Sequence, residues 1–174
     1  MSELSFACGF PLPPPNWSSW EELMVEALGL AQQAALQNEV PVGAIVIDDS
    51  GKIIGRGINC PLSTCNPCAH AEIMALQNAG RQVGNYRLLG AYLVTTLEPC
   101  LMCSGAIIHA RLQGLVFGAY DDKAGAIATK MNSLSLPFHN HKLPWLGGIL
   151  KQQCAEILSD FFRQKREATL ARKL

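Results

Sequence analysis

Two short runs carry side chains that can hold a metal and move a proton: His70-Ala71-Glu72 and Pro99-Cys100-Leu-Met-Cys103. A second Cys-x-x-Cys pair, Cys65-Asn-Pro-Cys68, lies just upstream of the first run. Four cysteines in two such pairs suit a closed, structural zinc site. The alternative takes His70, Cys100 and Cys103 as ligands and leaves the fourth tetrahedral position for water, as a catalytic site requires. Spacing favours the alternative. Cys100 and Cys103 are three apart in the first turn of an expected helix, so they share one face. The free N–H groups and dipole of that turn favour thiolates. His70 and Glu72 are two apart; they would diverge inside a helix but can reach one centre from its start. The expectation is two helix N-termini converging on one metal.

Thiolate and imidazole donors in a tetrahedral set make zinc the natural ion. Zinc held by three protein ligands brings the pKa of a bound water to about 7. Glu72 is then the carboxylate beside that water, placed to take its proton and hand it on; a purely structural zinc has no use for it. Positioned proton transfer of this kind is worth ~10²–10⁴-fold in rate. In the catalytic assignment, Cys65 and Cys68 become loop and helix-start residues near the site. Cys8, Cys60 and Cys154 are expected to be buried as small apolar residues. His109, among Ile107, Ile108 and Ala110, reads as a hydrogen-bonded core histidine, and His139 and His141 as loop residues.

The elements that must position these residues follow from periodicity and punctuation. Ser18 or Ser19 caps a first helix, with Glu21 and Glu22 in its first turn. Leu23, Ala27, Leu30, Ala31 and Ala34 recur at helical spacing to about Gln37. Val42 to Ile47 and Ile53 to Ile58 read as a hairpin around Asp48-Asp-Ser-Gly51. A helix is expected from about His70 to Ala79, closed by Gly80, then a strand over Ala91 to Thr95. Pro99 suits the first position of a helix running to about Arg111. A strand over Leu115 to Tyr120, a Ser/Asn/His/Pro-bearing loop, a short strand near Lys142 to Leu146 and a last helix from about Ile149 complete the chain. Strand–helix–strand–helix–strand predicts a parallel section of sheet with right-handed crossovers and helices on both faces.

The chain has 174 residues, 49% hydrophobic and 16% charged, which suits one globular domain. Residues 1–17, with Pro13, Pro14 and Pro15, form an extended N-terminal arm, and 18–174 a single domain. No apolar run approaches the roughly 20 residues of a membrane span, and the start lacks a signal-peptide pattern. A cytoplasmic location is the default. Seven cysteines, an odd count, point to metal binding and burial rather than to a disulfide framework. A formal net charge of zero argues against a general nucleic-acid coat protein. Arg163, Lys165, Arg166, Arg172 and Lys173 stand against Glu167 alone at the C-terminus, either as a solvated helix end or as a phosphate-contacting patch.

Together, His70-Ala-Glu72 and Pro99-Cys100-Leu-Met-Cys103 match the H-x-E…P-C-x-x-C signature of zinc nucleobase deaminases. The chain resembles the cytidine deaminase superfamily, and within it the bacterial-type tRNA-specific adenosine deaminases, from about Glu22 to Lys165. The specific stretches are Glu39-Val-Pro-Val-Gly-Ala44, Gly57-Ile-Asn59, Ala69-His-Ala-Glu-Ile-Met-Ala-Leu76, Asn85-Tyr-Arg-Leu88, Thr96-Leu-Glu-Pro-Cys-Leu-Met-Cys103 and Leu158-Ser-Asp-Phe-Phe162. The resemblance implies a three-layer α/β/α sandwich around a mixed, about five-stranded sheet, with one zinc per subunit. It implies hydrolytic conversion of adenosine to inosine at the tRNA wobble position, with ammonia released. Glu72 would protonate the ring nitrogen beside the attacked carbon, then the departing amine. It also implies a homodimer that binds the anticodon loop, with no organic cofactor and no membrane. Asn59 matches the residue that holds the target nucleoside, Ala71 offers a backbone N–H beside the metal, Leu97 lies at the pocket wall, and Asp121 lies near a neighbouring ribose. The glycines of the first two strands resemble that family's substrate-side wall. Phe161, Phe162 and Arg163 could supply stacking and phosphate contacts to RNA; the alternative is that the two Phe simply pack the last helix. Departures are Tyr120 for Arg, Ala124 for Thr, Cys68 for Thr, and the extra N-terminal segment. Because the superfamily shares its zinc site, a free base or nucleotide (guanine, cytosine or a pyrimidine nucleotide) is the alternative substrate. A non-catalytic, zinc-containing RNA-binding protein is the third possibility.

Overall fold

The computed structural model describes residues 9–171, so Cys8, Arg172 and Lys173 lie outside it. Helix α1 (Trp20–Leu36) opens at Ser19, whose hydroxyl accepts the Glu22 N–H at 3.4 Å. Its buried stripe is the one its spacing requires: Leu23, Met24, Ala27, Ala31 and Ala34 are all fully buried. Strands β1 (Gly43–Ile47) and β2 (Ile53–Ile58) form the expected hairpin. The Asp48 carboxylate ties the turn by accepting the N–H groups of Ser50 and Lys52 at 3.0 and 2.9 Å, and Gly51 takes a left-handed φ of 86°.

A short helix α2 (Pro61–Thr64) precedes α3 (Ala71–Val83). Then follow β3 (Tyr92–Leu97), α4 (Leu101–His109), β4 (Gly114–Ala119), one 3-10 turn (Ser133–Ser135), β5 (Trp145–Gly147) and α5 (Lys151–Ala171). The sheet order is β2-β1-β3-β4-β5. β1 runs antiparallel to both its neighbours, and β3, β4 and β5 are parallel. This is the mixed five-stranded sheet between two helical layers that the sequence implies. Alternation along β1 divides the core. Ala44 and Val46 pack with Ala71, Ala75, Ile107 and Ile108 of α3 and α4. Ile45 and Ile47 pack with Trp20, Leu23 and Met24 of α1 and with Cys154 of α5. Among the described residues, no helix is long and apolar enough to cross a membrane.

Several local expectations need correction. Gly80 does not end its helix. The chain continues another turn to Val83, and Gly84, at φ 70°, makes the left-handed exit. Pro99 lies outside α4, because Cys100 holds the N-cap position. His109 is exposed on α4 instead of lying in the core; its apolar neighbours Ile107 and Ile108 turn inward while it turns out. The glycines of β2 do not line a substrate wall. A Cβ on Gly55 would sit 2.3 Å from the Ala75 carbonyl oxygen, and one on Gly57 2.1 Å from that of Ala71. Bare backbone on this face lets α3 ride directly on β2.

The described part of the N-terminal segment is strapped to the domain. Phe10 meets the Trp20 ring at a centroid distance of 5.5 Å, and Trp20 meets Tyr92 at 5.3 Å. Such aromatic pairs contribute roughly 0.5–1.5 kcal/mol beyond their burial. The indole N–H groups of Trp20 and Trp17 donate to the carbonyls of Pro11 and Gly51 at 3.0 and 2.9 Å.

Candidate active site

Sheet register carries the predicted site residues to one edge. Gly43 pairs with Ile58, Ala44 with Thr95, and Leu97 with Ala119. The chain therefore leaves β2 at Asn59, β3 at Glu98 and β4 at Tyr120 on the same side of the sheet. Helix α3 begins there too, seated over Gly57. Ligands outside the carboxyl ends of parallel strands are the usual outcome of such a layout.

Both ligand-bearing helices start in the same way. His70 is the N-cap of α3 (φ −74°, ψ 153°) and Cys100 the N-cap of α4 (φ −75°, ψ 174°). N-cap side chains ordinarily accept a hydrogen bond from the first turn; neither of these does. They point at each other instead. His70 Nδ1 lies 3.6 Å from the Sγ of Cys100 and 3.6 Å from the Sγ of Cys103. All three donor atoms lie within 4.8 Å of one another. A tetrahedral ion with Zn–S of about 2.3 Å and Zn–N of about 2.1 Å needs an S–N edge of about 3.6 Å. The three residues fit zinc in spacing as well as in donor chemistry. Cys65 and Cys68 are not part of this group and are exposed, which disfavours a four-cysteine site.

The protonation pattern agrees with a cation-binding centre. A hydrogen bond from Cys103, reinforced by His70 and opposed by burial, pulls the Cys100 thiol down to about 4. Cys103 is pushed up, because it shares its proton with Cys100 and is buried. Contact with Cys100 also raises His70. A divalent ion would take the place of the protons that now hold these donors together.

Glu72 is the second residue of α3 and is 5% exposed. Burial raises its carboxyl above the ordinary range, opposed by the carboxylate's bond to its own N–H; the Cys103 thiol also hydrogen-bonds it. A carboxyl raised in this way, touching a ligand without belonging to the ligand group, suits proton transfer near neutral pH. Ala71 opens α3, where the first N–H groups have no partner inside the helix. Asn59 is 7% exposed, with its N–H on the Val42 carbonyl at 3.0 Å. Leu97 ends β3, half-buried. Asp121, also half-buried, accepts the Lys123 N–H at 2.9 Å.

Two buried carboxylates escaped sequence reasoning. Glu39, 1% exposed, accepts the N–H groups of Ser63 and Leu62 at 2.7 and 3.3 Å and so holds α2. Burial pushes its carboxyl up, but the Ser63 and Leu62 donors push harder, and it stands below the usual range. Glu98, 2% exposed, binds the 121–129 loop. The available signal was the loop itself: Gly125, Ala126, Ile127 and Ala128 are small or apolar, offer no side-chain acceptor, and need a partner for their N–H groups. Cys60 and Cys154 are buried as expected, and His141 is a loop residue in contact with the Leu112 carbonyl at 2.8 Å.

Residues 18–119 match the model of the cytidine and deoxycytidylate deaminase zinc-binding region. A tRNA-specific adenosine deaminase from Haemophilus influenzae is 46% identical over 147 residues, covering 84% of this chain and 85% of that protein. A solved structure from studies of A-to-I editing by tRNA:A34 deaminases at the wobble position of transfer RNA is 39% identical. It superposes with a TM-score of 0.76 over 79% of this chain and 99% of the other. A guanine deaminase from Nitrosomonas europaea is more distant, at 27% identity and a TM-score of 0.74, over 85% and 87% of the two chains. The site chemistry and these likenesses agree, and the chain belongs to the tRNA-specific adenosine deaminases of the cytidine and deoxycytidylate deaminase family.

Proposed function

We propose that this protein hydrolyses the exocyclic amine of the wobble adenosine in a tRNA anticodon loop, giving inosine and ammonia. The observation that carries the reading is the convergence of His70, Cys100 and Cys103 beside the buried acid Glu72, in a chain 46% identical to a tRNA-specific adenosine deaminase. His70, Cys100 and Cys103 would hold the zinc. When bound, zinc supplies the Lewis acidity that makes a water easy to deprotonate near neutral pH. Glu72 receives that proton, delivers it to the ring nitrogen beside the attacked carbon, and then serves the departing amine. The Ala71 N–H, in the unpaired first turn of α3, anchors the base. Asn59 holds the target nucleoside, Leu97 forms part of the pocket wall, and Asp121 faces a neighbouring ribose. A loop nucleotide suits this arrangement because its base can be splayed out of the strand and into a pocket.

We read residues 18–174 as one deaminase domain and 1–17 as an N-terminal, proline-containing arm, working in the cytoplasm where the proposed tRNA substrate occurs. The protein acts as a homodimer. In support, Met102, Ala106 and His109 share one face of α4 by spacing. Ala106 and His109 line a groove against Ile73, Gln77 and Gly80 of α3, and Met102 and its neighbour Leu101 are 37% and 57% exposed.

The test is to incubate zinc-loaded protein with a tRNA carrying a wobble adenosine and, separately, with free adenosine, cytidine, cytosine and guanine, using Glu72→Ala as the blank. Inosine forming in the tRNA alone is the expected result. The 27% identical guanine deaminase motivates the rival outcome. Turnover of a free base with untouched tRNA would overturn the tRNA assignment and keep the zinc chemistry.

A further inference from the structure

The sequence marks Glu98 only as the residue before Pro99, yet it is among the largest fully buried side chains of the molecule. One carboxylate oxygen accepts the N–H groups of Ile127, Ala128 and Thr129 at 3.0, 2.7 and 3.0 Å. The other accepts the Asp121 N–H at 3.1 Å and the Thr129 hydroxyl. Five donors from one loop thus close on a single side chain. The loop leaves room for it: a Cβ on Gly125 would lie 2.4 Å from Oε2 of Glu98. Ala126 adds a bond from its N–H to the Pro99 carbonyl at 2.9 Å, joining the loop to the residue before Cys100. Glu98 has no place in the proton route. Its donors belong to the segment that begins with Asp121.

We propose that Glu98 is a positioning residue for substrate binding. It folds residues 121–129 against the start of α4 and so fixes the wall that Asp121 presents to the nucleotide flanking the target. An acceptor with two oxygens and a full charge is needed, because each oxygen serves at least two donors and charge-assisted bonds are about twice as strong as neutral ones. This inference rests on the proposed tRNA reading for its substrate, not for the clamp itself.

The test compares full-length, zinc-loaded wild type with Glu98→Gln, Glu98→Asp and Thr129→Val. Zinc per chain, hydrogen exchange at residues 121–129, and KM and kcat on the wobble-adenosine tRNA are measured for each. Glu98→Gln is expected to keep one zinc, lose protection at Ile127, Ala128 and Thr129, and raise KM at least tenfold with a smaller change in kcat. Glu98→Asp should recover part of that loss, and Thr129→Val, which removes one donor of five, should raise KM two- to fivefold. Wild-type protection in Glu98→Gln overturns the clamp. Lost protection with unchanged KM overturns the substrate role. Zinc loss, or equal falls in activity for Glu98→Gln and Glu98→Asp, assigns the residue to general folding and overturns the proposal. If wild type leaves tRNA untouched, the function reading fails by itself, while the exchange data still decide whether the clamp exists.

Discussion

The starts of α3 and α4 share an extended N-cap backbone and differ in what they deliver. Each places a ligand at an extended N-cap that leaves its own helix uncapped by a side chain. After His70, α3 offers a backbone N–H and a buried acid. After Cys100, α4 offers a second, fully buried thiol and then apolar core residues. In the proposed assignment, one helix start therefore carries a single ligand plus the proton-handling group, and the other carries two ligands and no acid. Metal retention should depend most on α4 and turnover most on Glu72 of α3.

The sharpest way to break this contrast is at α4. Cys100→Ala should lose zinc, activity and thermal stability together, since metal bound only by the folded chain adds its binding energy to folding. Metal analysis showing one full zinc per chain in that variant would remove Cys100 from the centre. At α3, Glu72→Ala should keep zinc and fold while kcat falls by at least ~10²–10⁴-fold, the range for a lost proton-transfer group. Near-normal turnover would refute the division. A smaller effect tests how α3 is seated. Gly57→Ala puts a methyl group into the Ala71 carbonyl and should destabilise by roughly 1–3 kcal/mol, with kcat reduced because Glu72 moves with the helix. Thermal melting and kcat, measured together, check both parts.

The smallest effect lies at Glu39, which holds α2 beside the start of α3. Its folded carboxyl stands below its unfolded value. Its contribution is therefore complete above the unfolded value of about 4.3 and fades as pH falls through the lower, folded one. The stability difference between wild type and Glu39→Gln should be constant near neutral pH and shrink below about pH 4. Chemical denaturation of both proteins at pH 7, 5 and 3.5 measures it; a gap that widens in acid would contradict the sign.

The sequence made the convergence of His70, Cys100 and Cys103 near Glu72, and the sheet, legible for one physical reason. Each leaves a short-range signature: His-x-Glu and Cys-x-x-Cys spacing, apolar alternation in β1, and 3.6-residue recurrence in α1. Glu39 and Glu98 left no local signature, because the backbone N–H groups that make up most of their partners lie 23 to 31 residues away. A carboxylate that binds main chain imposes no residue type on its partner. Helix ends failed for a similar reason. Gly80 and Gly84 look alike in sequence, and only the fold decides which one takes the positive φ. The apolar neighbours of His109 suggest a core position, but on a helix adjacent residues point about 100° apart, and His109 faces outward.

The contact of α3 with the bare backbone of β2 has a consequence for how this protein tolerates change. Where main chain rests on main chain, the spacing has no side-chain volume in it to trim or enlarge. Repacking elsewhere in the core leaves the distance between β2 and Ala71 to this backbone contact alone. In a saturation library selected for folding and activity, positions 55 and 57 should accept almost nothing but glycine, while the core positions around them drift among aliphatic residues.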